Sequence, residues 1–247
     1  MEWSASCATR AFLDTLQLCS NHKRQYGSWK VQEPGSNEFV SALAAGMKAK
    51  LIVEVTSCSS SSTIALAAAA RQTGGKLVCI ISEPSLLDES EHVIRCSGLE
   101  DQVEFRTEDP AELLPSYENI DFFLVDCKDD EKYAELLKLL DVNPTRSVVV
   151  ANTNNLLLGG DKKRLGSYVR RKDEKIAVRS LKHPIGKGME VILISMNNDD
   201  EVDDRFGERG HDSRKICKSK WVAKFDEESG EEHIFRVPQI DFFLGLC

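Results

Sequence analysis

The sequence predicts an α/β protein built on a doubly wound, mainly parallel sheet with a terminal antiparallel hairpin. The first supporting observation is an apolar strand, residues 51–55, followed by a turn of small residues and an Ala-rich helix. The second is that apolar strands alternate with helical stretches from about residue 6 to residue 195. Such alternation indicates parallel strands joined by right-handed crossovers.

Two helices are predicted before the first strand. The N-terminal one depends on four closely spaced apolar residues, which are Phe12, Leu13, Leu16 and Leu18. The next is expected from Pro34 to about Lys48, because proline suits the first turn of a helix. The helix after the first strand covers residues 63–71, and Gly74 follows it as a glycine that accepts the left-handed conformation.

The later elements continue the same alternation. Strands are predicted at 76–81, 103–106, 120–125 and 147–151, and helices at 86–96, 133–140 and 161–172. Residues 76–81 are almost continuously apolar, which is typical of a strand covered on both faces. Residues 176–181 and 189–195 flank a glycine-rich turn and predict the terminal antiparallel hairpin.

The composition changes after Met196. Residues 197–204 are acidic and poor in apolar side chains, so we expect a solvated linker there. Residues 221–225 and 233–237 then form either a small hairpin or a loosely ordered tail. The expected organisation is an α/β domain over residues 1–196 and an appended segment over residues 197–247.

Charge and cysteine usage exclude several classes of protein. The net charge is −8, and no apolar run approaches the roughly 18 residues of a membrane span, so neither nucleic-acid nor membrane binding is expected. Eight cysteines are scattered without a CxxC pair, and the N-terminal residues do not read as a secretory signal. We therefore expect free thiols and a cytoplasmic location, with the nucleus as the alternative.

Several segments in this order resemble the Rossmann-like class I methyltransferases that bind S-adenosylmethionine (SAM). They are a glutamate, Glu54, inside the first strand, followed by residues 121–126, 148–152 and 184–188. Over about residues 34–195 the chain is similar to the caffeoyl-CoA and catechol type of small-molecule O-methyltransferase. It most resembles a plant family of methyltransferase-like proteins of unknown function, through residues 72–79 and 184–190.

The resemblance implies a set of cofactor-binding residues around the first turn and the neighbouring strand ends. These are Glu54, Thr56, Ser57, Ser60, Ser62, Glu83, Asp109 and Asp126. The resembled enzymes carry glycine where this chain has Thr56 and Ser60, and glycine lets backbone approach a ligand closely. The segment is thus either a modified cofactor loop, with hydroxyls and free N–H groups at the helix start, or a serine-rich cap without a ligand.

The ribose-binding acid of the resembled enzymes has no direct counterpart. Ile81 occupies that position at the end of the second strand, and its side chain cannot accept a hydrogen bond. Glu83 lies two residues further on, so it shares the strand face only if the strand continues. It is either a substitute acid or an ordinary exposed glutamate.

The metal and base positions of the catechol type are only partly retained. Asp126 and Asn152 match two of the three ligands, but Ala151 stands where the second aspartate belongs. Asp129 occupies the place of the usual lysine base, with Lys128 beside it. These departures from the catechol type predict a protein without a resident metal, with Asp126 and Asn152 as the remaining ligand candidates, and they leave Asp126, Lys128 and Asp129 as catalytic candidates.

Two functions follow from this comparison. The first is a SAM-dependent, metal-independent methyltransferase acting on an unknown small molecule. The second is a catalytically inactive protein of the same fold that binds a partner, as a homodimer or through its C-terminal tail, residues 240–246. A nicotinamide dehydrogenase is less consistent, because the first turn lacks the G-x-G-x-x-G pattern.

Overall fold

The structure is a computed structural model of the 247-residue chain. It describes residues 3–26, 35–126, 130–152, 176–183, 185, 188–196, 219–225 and 232–238. The chain divides into two compact units, Met1–Asn198 and Asp199–Cys247. That residues 1–196 fold as an independent domain stays a prediction.

Seven strands of the first unit form one sheet in the order β3-β2-β1-β4-β5-β7-β6. The strands are β1 Leu51–Thr56, β2 Lys76–Ile81, β3 Val103–Arg106, β4 Phe122–Asp126, β5 Arg146–Asn152, β6 Ile176–His183 and β7 Met189–Met196. The first five pair in parallel, whereas β7 lies antiparallel between β5 and β6. The predicted doubly wound sheet with a terminal antiparallel hairpin is confirmed.

Helices cover both faces of this sheet. They are α1 Ala5–Tyr26, α2 Ser36–Gly46, α3 Ser61–Thr73, α4 Leu87–Cys96, α5 Pro110–Leu113 and α6 Asp130–Leu139. Residues from α1 to α4 pack in one apolar cluster against one face of the sheet, and α6 packs in a second cluster on the other. A row of alanines in α3, residues 67–70, is fully buried and lets this helix lie close to its neighbours.

Most predicted elements match the structure, and the differences have local causes. Strands β2 and β3 have the predicted bounds, but α3 begins two residues early because Ser60 caps it. Helix α2 begins at Ser36 rather than Pro34, after Gly35, whose φ of 99° favours glycine. The short helix α5 has no counterpart in the sequence prediction, and the predicted helix over 161–172 lies outside the described residues.

The apolar residues that predicted α1 do not form its buried stripe. Phe12, Leu13 and Leu16 are exposed, while the buried positions carry small side chains, which are Ala8, Ala11, Thr15 and Cys19. Small residues on this face allow α1 to pack closely against α2 and α3. The helix was predicted correctly, although of the four residues that predicted it only Leu18 packs against the core, where it is partly buried.

In the second unit, strands β8 Ser219–Phe225 and β9 Glu232–Pro238 pair antiparallel. Of the two predicted alternatives for this segment, the chain therefore forms the hairpin. Among the helices in the described ranges, none is both long and apolar enough for a bilayer crossing.

The start of the parallel strands is held together by one nearly buried carboxylate, Asp121. Its Oδ2 accepts hydrogen bonds from the N–H groups of Lys50 at 2.7 Å and Leu51 at 3.2 Å. Its Oδ1 accepts from the Asn143 side-chain amide at 2.8 Å. This side chain therefore joins the segments that begin β1, β4 and β5, and it has a structural role at the edge opposite the carboxyl ends of these strands.

We expect Asp121→Ala to lower the free energy of unfolding by about 3 kcal/mol, because buried donors lose a charged acceptor. Asp121→Asn keeps one oxygen for the backbone donors and should cost less. Urea denaturation of both variants beside the wild type measures the difference. Equal stability of Asp121→Ala and the wild type would contradict this role.

Candidate functional site

The candidate site lies where the strand order reverses, at the carboxyl ends of β1 and β4. The chain runs outward from β1 through β2 to β3 and then returns to β4 on the other side of β1. Doubly wound sheets bind ligands in the crevice at such a switch point. Thr56 pairs in register with Asp126 here, and Glu54 pairs with Cys79 and Leu124.

Glu54 is a fully buried carboxylate in this edge of the sheet. Its Oε1 accepts a hydrogen bond from Ser62 Oγ at 2.6 Å, and its Oε2 accepts one from Cys79 Sγ at 3.7 Å. Burial raises the pKa of Glu54 to about 7, and the nearby charge of Asp126 acts in the same direction. Hydrogen bonds from Ser62, Thr63 and Cys79 oppose that rise in the pKa. The group therefore changes charge near neutral pH.

The serine-rich turn between β1 and α3, residues 57–60, forms an N-terminal cap for α3. Ser60 Oγ accepts from the Ser62 N–H at 3.2 Å, and Thr63 Oγ1 accepts from the Ser60 N–H at 3.1 Å. This reciprocal arrangement is a capping box. The Ser60 and Ser62 hydroxyls are also 2.8 Å apart, so the cap is continuous with the hydrogen bond to Glu54.

Two further contacts hold the turn between β1 and α3. Thr56 Oγ1 donates to the Cys58 carbonyl at 2.9 Å, and the Ser59 N–H donates to Ser90 Oγ of α4 at 3.0 Å. The N–H groups of Ser59, Ser60 and Ser62 are therefore not free for a ligand, because Ser90 of α4 accepts from the first and the cap itself accepts from the other two. In contrast, Ser59 Oγ is buried and has no hydrogen-bond partner among the described residues.

The remaining predicted cofactor residues occupy exposed positions. Ser57 is exposed in the turn, and Glu83 is exposed after β2 ends at the buried Ile81. The strand does not continue to Glu83, which instead precedes a short 3-10 turn, so the condition under which it would share the strand face is not met. Asp109 is exposed, and its Oδ1 accepts from the Ala111 N–H at 2.9 Å, which caps α5.

The metal and base candidates are only partly described. Asp126 is exposed at the end of β4, on the same face of the sheet as Glu54. Lys128, Asp129 and the side chain of Asn152 lie outside the described residues. Within the described part of the chain, no group of three or more His, Cys, Asp or Glu side chains is arranged to hold a metal ion.

Three residues of this site were missed by the sequence analysis: Thr63, Cys79 and Ser90. Cys79 had a signal, because the parallel register of β1 and β2 places it beside Glu54. Thr63 also had one, as the third residue after the capping Ser60. Ser90 comes from α4, and nothing in the local sequence links it to the turn.

Glu54 should make the stability of the protein depend on pH. The pKa of Glu54 is about 7 in the folded chain and 4.5 when the side chain is exposed, as in the unfolded chain. Between pH 4.5 and pH 7 the folded state therefore binds more protons than the unfolded state. Its contribution to stability is complete below about pH 4.5 and is lost as the pH rises through 7. We expect the wild type to lose about 3 kcal/mol relative to Glu54→Gln over this range.

Urea denaturation at a series of pH values measures this difference. The Glu54→Gln variant is the control, because its amide has the same shape and does not titrate. A difference between the two proteins that stays constant from pH 4.5 to pH 7 would contradict the assignment.

Solved structures share this fold at low sequence identity. One is the O-methyltransferase TomG from Streptomyces achromogenes, which is involved in tomaymycin synthesis and was solved with SAM. It is 20% identical to this chain, and the match covers 74% of this chain and 89% of TomG with a TM-score of 0.52. An O-methyltransferase from Bacillus cereus, solved with S-adenosylhomocysteine (SAH), is 20% identical over 75% of this chain and 91% of its own, with a TM-score of 0.52.

A third similar structure is the methyltransferase PaMTH1 from Podospora anserina, solved with SAH. It is 19% identical, and the match covers 75% of this chain and 88% of that one with a TM-score of 0.53. At such identities the likeness shows the fold alone, and it confirms the predicted methyltransferase type of fold.

The comparison with curated proteins finds no matching sequence. The family model described as "Protein of unknown function (DUF1442)" matches residues 1–237, which is nearly the whole chain. A family of unknown function with a methyltransferase-like fold is what the resemblance predicted. The chain belongs to the DUF1442 family.

Proposed function

We propose that this protein is a SAM-dependent methyltransferase that acts on a small molecule without a metal ion. The observation that carries the proposal is the pair of acids at the switch point, where buried Glu54 of β1 and exposed Asp126 of β4 lie on the same face at the ends of adjacent strands. Two acids at the carboxyl ends of adjacent strands favour a ligand that carries positive charge. SAM is such a ligand, since it has a sulfonium and an ammonium group.

The residues present fit this cofactor in two respects. Glu54 supplies negative charge beneath the turn, and the unpartnered Ser59 hydroxyl supplies a buried donor and acceptor within it. Asp126 adds an exposed acid at the end of β4. When bound, SAM supplies a methyl group activated for in-line displacement.

The roles of this chain's residues are then to bind and to orient. An in-line displacement depends mainly on holding two reactants in line, and it makes little demand on acid or base groups. Replacement of the usual lysine by Asp129 and of the second metal-binding aspartate by Ala151 therefore does not remove the main source of catalysis. The contributions of Lys128 and Asp129 as catalytic groups remain part of this proposal.

We further propose the type of O-methyltransferase, its methyl acceptor and its location in the cell. Residues 121–126 and 148–152 support an enzyme of the caffeoyl-CoA and catechol type, and residues 72–79 and 184–190 support a plant origin. The involvement of TomG in tomaymycin synthesis supports a small-molecule methyl acceptor. Free thiols at the buried Cys19 and Cys79 support a reducing compartment such as the cytoplasm.

A second candidate function has its own supporting observation. Three N–H groups of the turn already have acceptors, at Ser59, Ser60 and Ser62, and both Glu54 oxygens already accept hydrogen bonds. A turn satisfied in this way favours a catalytically inactive protein that keeps the scaffold for binding. Its partner would be a second copy of the chain, or a protein that contacts residues 240–246.

We expect millimolar SAM or SAH to raise the melting temperature of the wild type and to give saturable heat in a calorimetric titration, because binding to the folded state stabilises it. The double variant Thr56→Gly/Ser60→Gly restores the close backbone approach of the resembled enzymes and distinguishes the two functions. A folded wild type that shows no shift, beside a double variant that does, would support the inactive protein.

Metal removal should leave cofactor binding unchanged. We expect the dissociation constant for SAH to differ by less than about twofold (about 0.4 kcal/mol) between buffers with excess EDTA and with Mg²⁺. A large gain of affinity or of thermal stability with Mg²⁺ would contradict a metal-independent site. The same comparison with Asp126→Asn tests whether any metal effect arises at this residue.

A further inference from the structure

A chain of side-chain hydrogen bonds connects the cap of α3 to the buried carboxylate. Ser60 Oγ lies 2.8 Å from Ser62 Oγ, and Ser62 Oγ lies 2.6 Å from Glu54 Oε1. Glu54 is fully buried and Ser62 is nearly buried. Bulk water therefore has little access to the hydrogen bond between these two side chains. We call this set, Glu54, Ser62 and Ser60, the hydroxyl chain.

The hydroxyl chain can run in either direction, because each hydroxyl has one donor and two acceptor sites. With Glu54 ionised, Ser62 donates to the carboxylate and Ser60 donates to Ser62. With Glu54 protonated at Oε1, the carboxyl group donates to Ser62, and Ser62 donates to Ser60. Both directions keep every oxygen paired, so the structure accommodates either charge state of Glu54 without rearranging the turn.

Among the described residues, the groups that affect the pKa of Glu54 are an acid and neutral hydrogen-bond donors. Asp126 faces it from β4 and Cys79 from β2, and burial together with Glu54 raises the pKa of Cys79, which keeps that thiol neutral. Helix α3 contributes the Ser62 and Thr63 hydroxyls, and its first charged side chain is Arg71, near its C-terminal end. Cys58 in the turn and Cys19 of α1, which donates to the Ser61 carbonyl, are two further titratable groups near this cap.

We propose that Glu54 and its hydroxyl chain make the site select a cationic ligand and release a proton when that ligand binds. The inference rests on the proposed function and adds a charge selectivity to it. The proton leaves the Glu54 carboxyl group for solvent, so a neutral acid and a free cation become a carboxylate and a bound cation. SAM carries one more positive charge than SAH, so SAM is the ligand that this exchange favours.

The expected effect follows from linkage between proton and ligand binding. A cation beside a buried carboxylate stabilises the ionised form, so SAM binds more tightly as the pH rises through the range in which Glu54 loses its proton. Glu54 acts through Ser62 and through its charge, and we therefore class it as a positioning residue. SAH lacks the extra charge, and its affinity should depend less on pH.

Isothermal titration with SAM and SAH, between pH 6 and pH 8 in two buffers of different ionisation enthalpy, measures the protons released. We expect the wild type to release about half a proton per SAM near pH 7, and fewer per SAH, because about half of the Glu54 side chains are protonated there. Glu54→Gln should bind SAM without this release, and its preference for SAM over SAH should fall about tenfold.

Two further variants separate the hydroxyl chain from a general effect of mutation. Ser62→Ala removes a donor to the carboxylate, so the pH of maximal proton release should move upward. Glu190→Gln is the matched control: this buried glutamate accepts a hydrogen bond from Ser180 and lies on the opposite face of the sheet. It should release protons as the wild type does. Circular dichroism and thermal melting confirm that each variant is folded.

The outcomes distinguish this inference from the proposed function. Binding of SAM with equal proton release in the wild type and Glu54→Gln would overturn the inference and leave the proposed function intact. Proton release that does not shift in Ser62→Ala would overturn the role of the hydroxyl chain. A folded wild type that binds neither SAM nor SAH would overturn both the function and the inference.

Discussion

The hydrogen bond between Ser62 and the buried Glu54 is the interaction on which the rest of the site depends. It places a carboxylate inside the sheet at the carboxyl end of β1, and it fixes the first turn of α3 above that strand. The same serine joins Glu54 to the Ser60 cap, so the charge of the site and the shape of the turn are determined together. The side chains of Thr56 and Ser60 also hold this turn, through hydrogen bonds to the Cys58 carbonyl and from the Ser62 N–H.

The two ends of the sheet show opposite uses of a buried acid. Asp121 lies where the strands begin, and its three hydrogen bonds come from backbone N–H groups and from an amide, so its role is structural. Glu54 lies where β1 ends, and a thiol and a hydroxyl are its partners. Burial raises the pKa of Glu54 to about 7 although these donors oppose the rise, so Glu54 titrates near neutral pH, which is the property that a ligand site can use.

Much of the fold could be predicted because its signals are local. The apolar run of β2 and the Ala-rich α3 indicated their elements directly, and strand alternation indicated the parallel sheet. The site was less predictable, because contacts such as Ser59 with Ser90 join residues that are distant in sequence. The burial of Glu54 was visible in its apolar strand, but whether both its oxygens found donors depended on the register with β2 and on the rotation of α3.

A crystal structure determined in the presence of SAM would show whether the switch point is a cofactor site. We expect the ligand at the carboxyl ends of β1 and β4, with its positive charge directed towards Asp126 and the turn above Glu54. Electron density for SAM at this position would support a cofactor site in which side-chain hydroxyls of the turn bind the cofactor, where the resembled enzymes use glycine backbone. A turn that remains closed over Glu54 in SAM-saturated crystals, with no ligand at this edge of the sheet, would contradict the account.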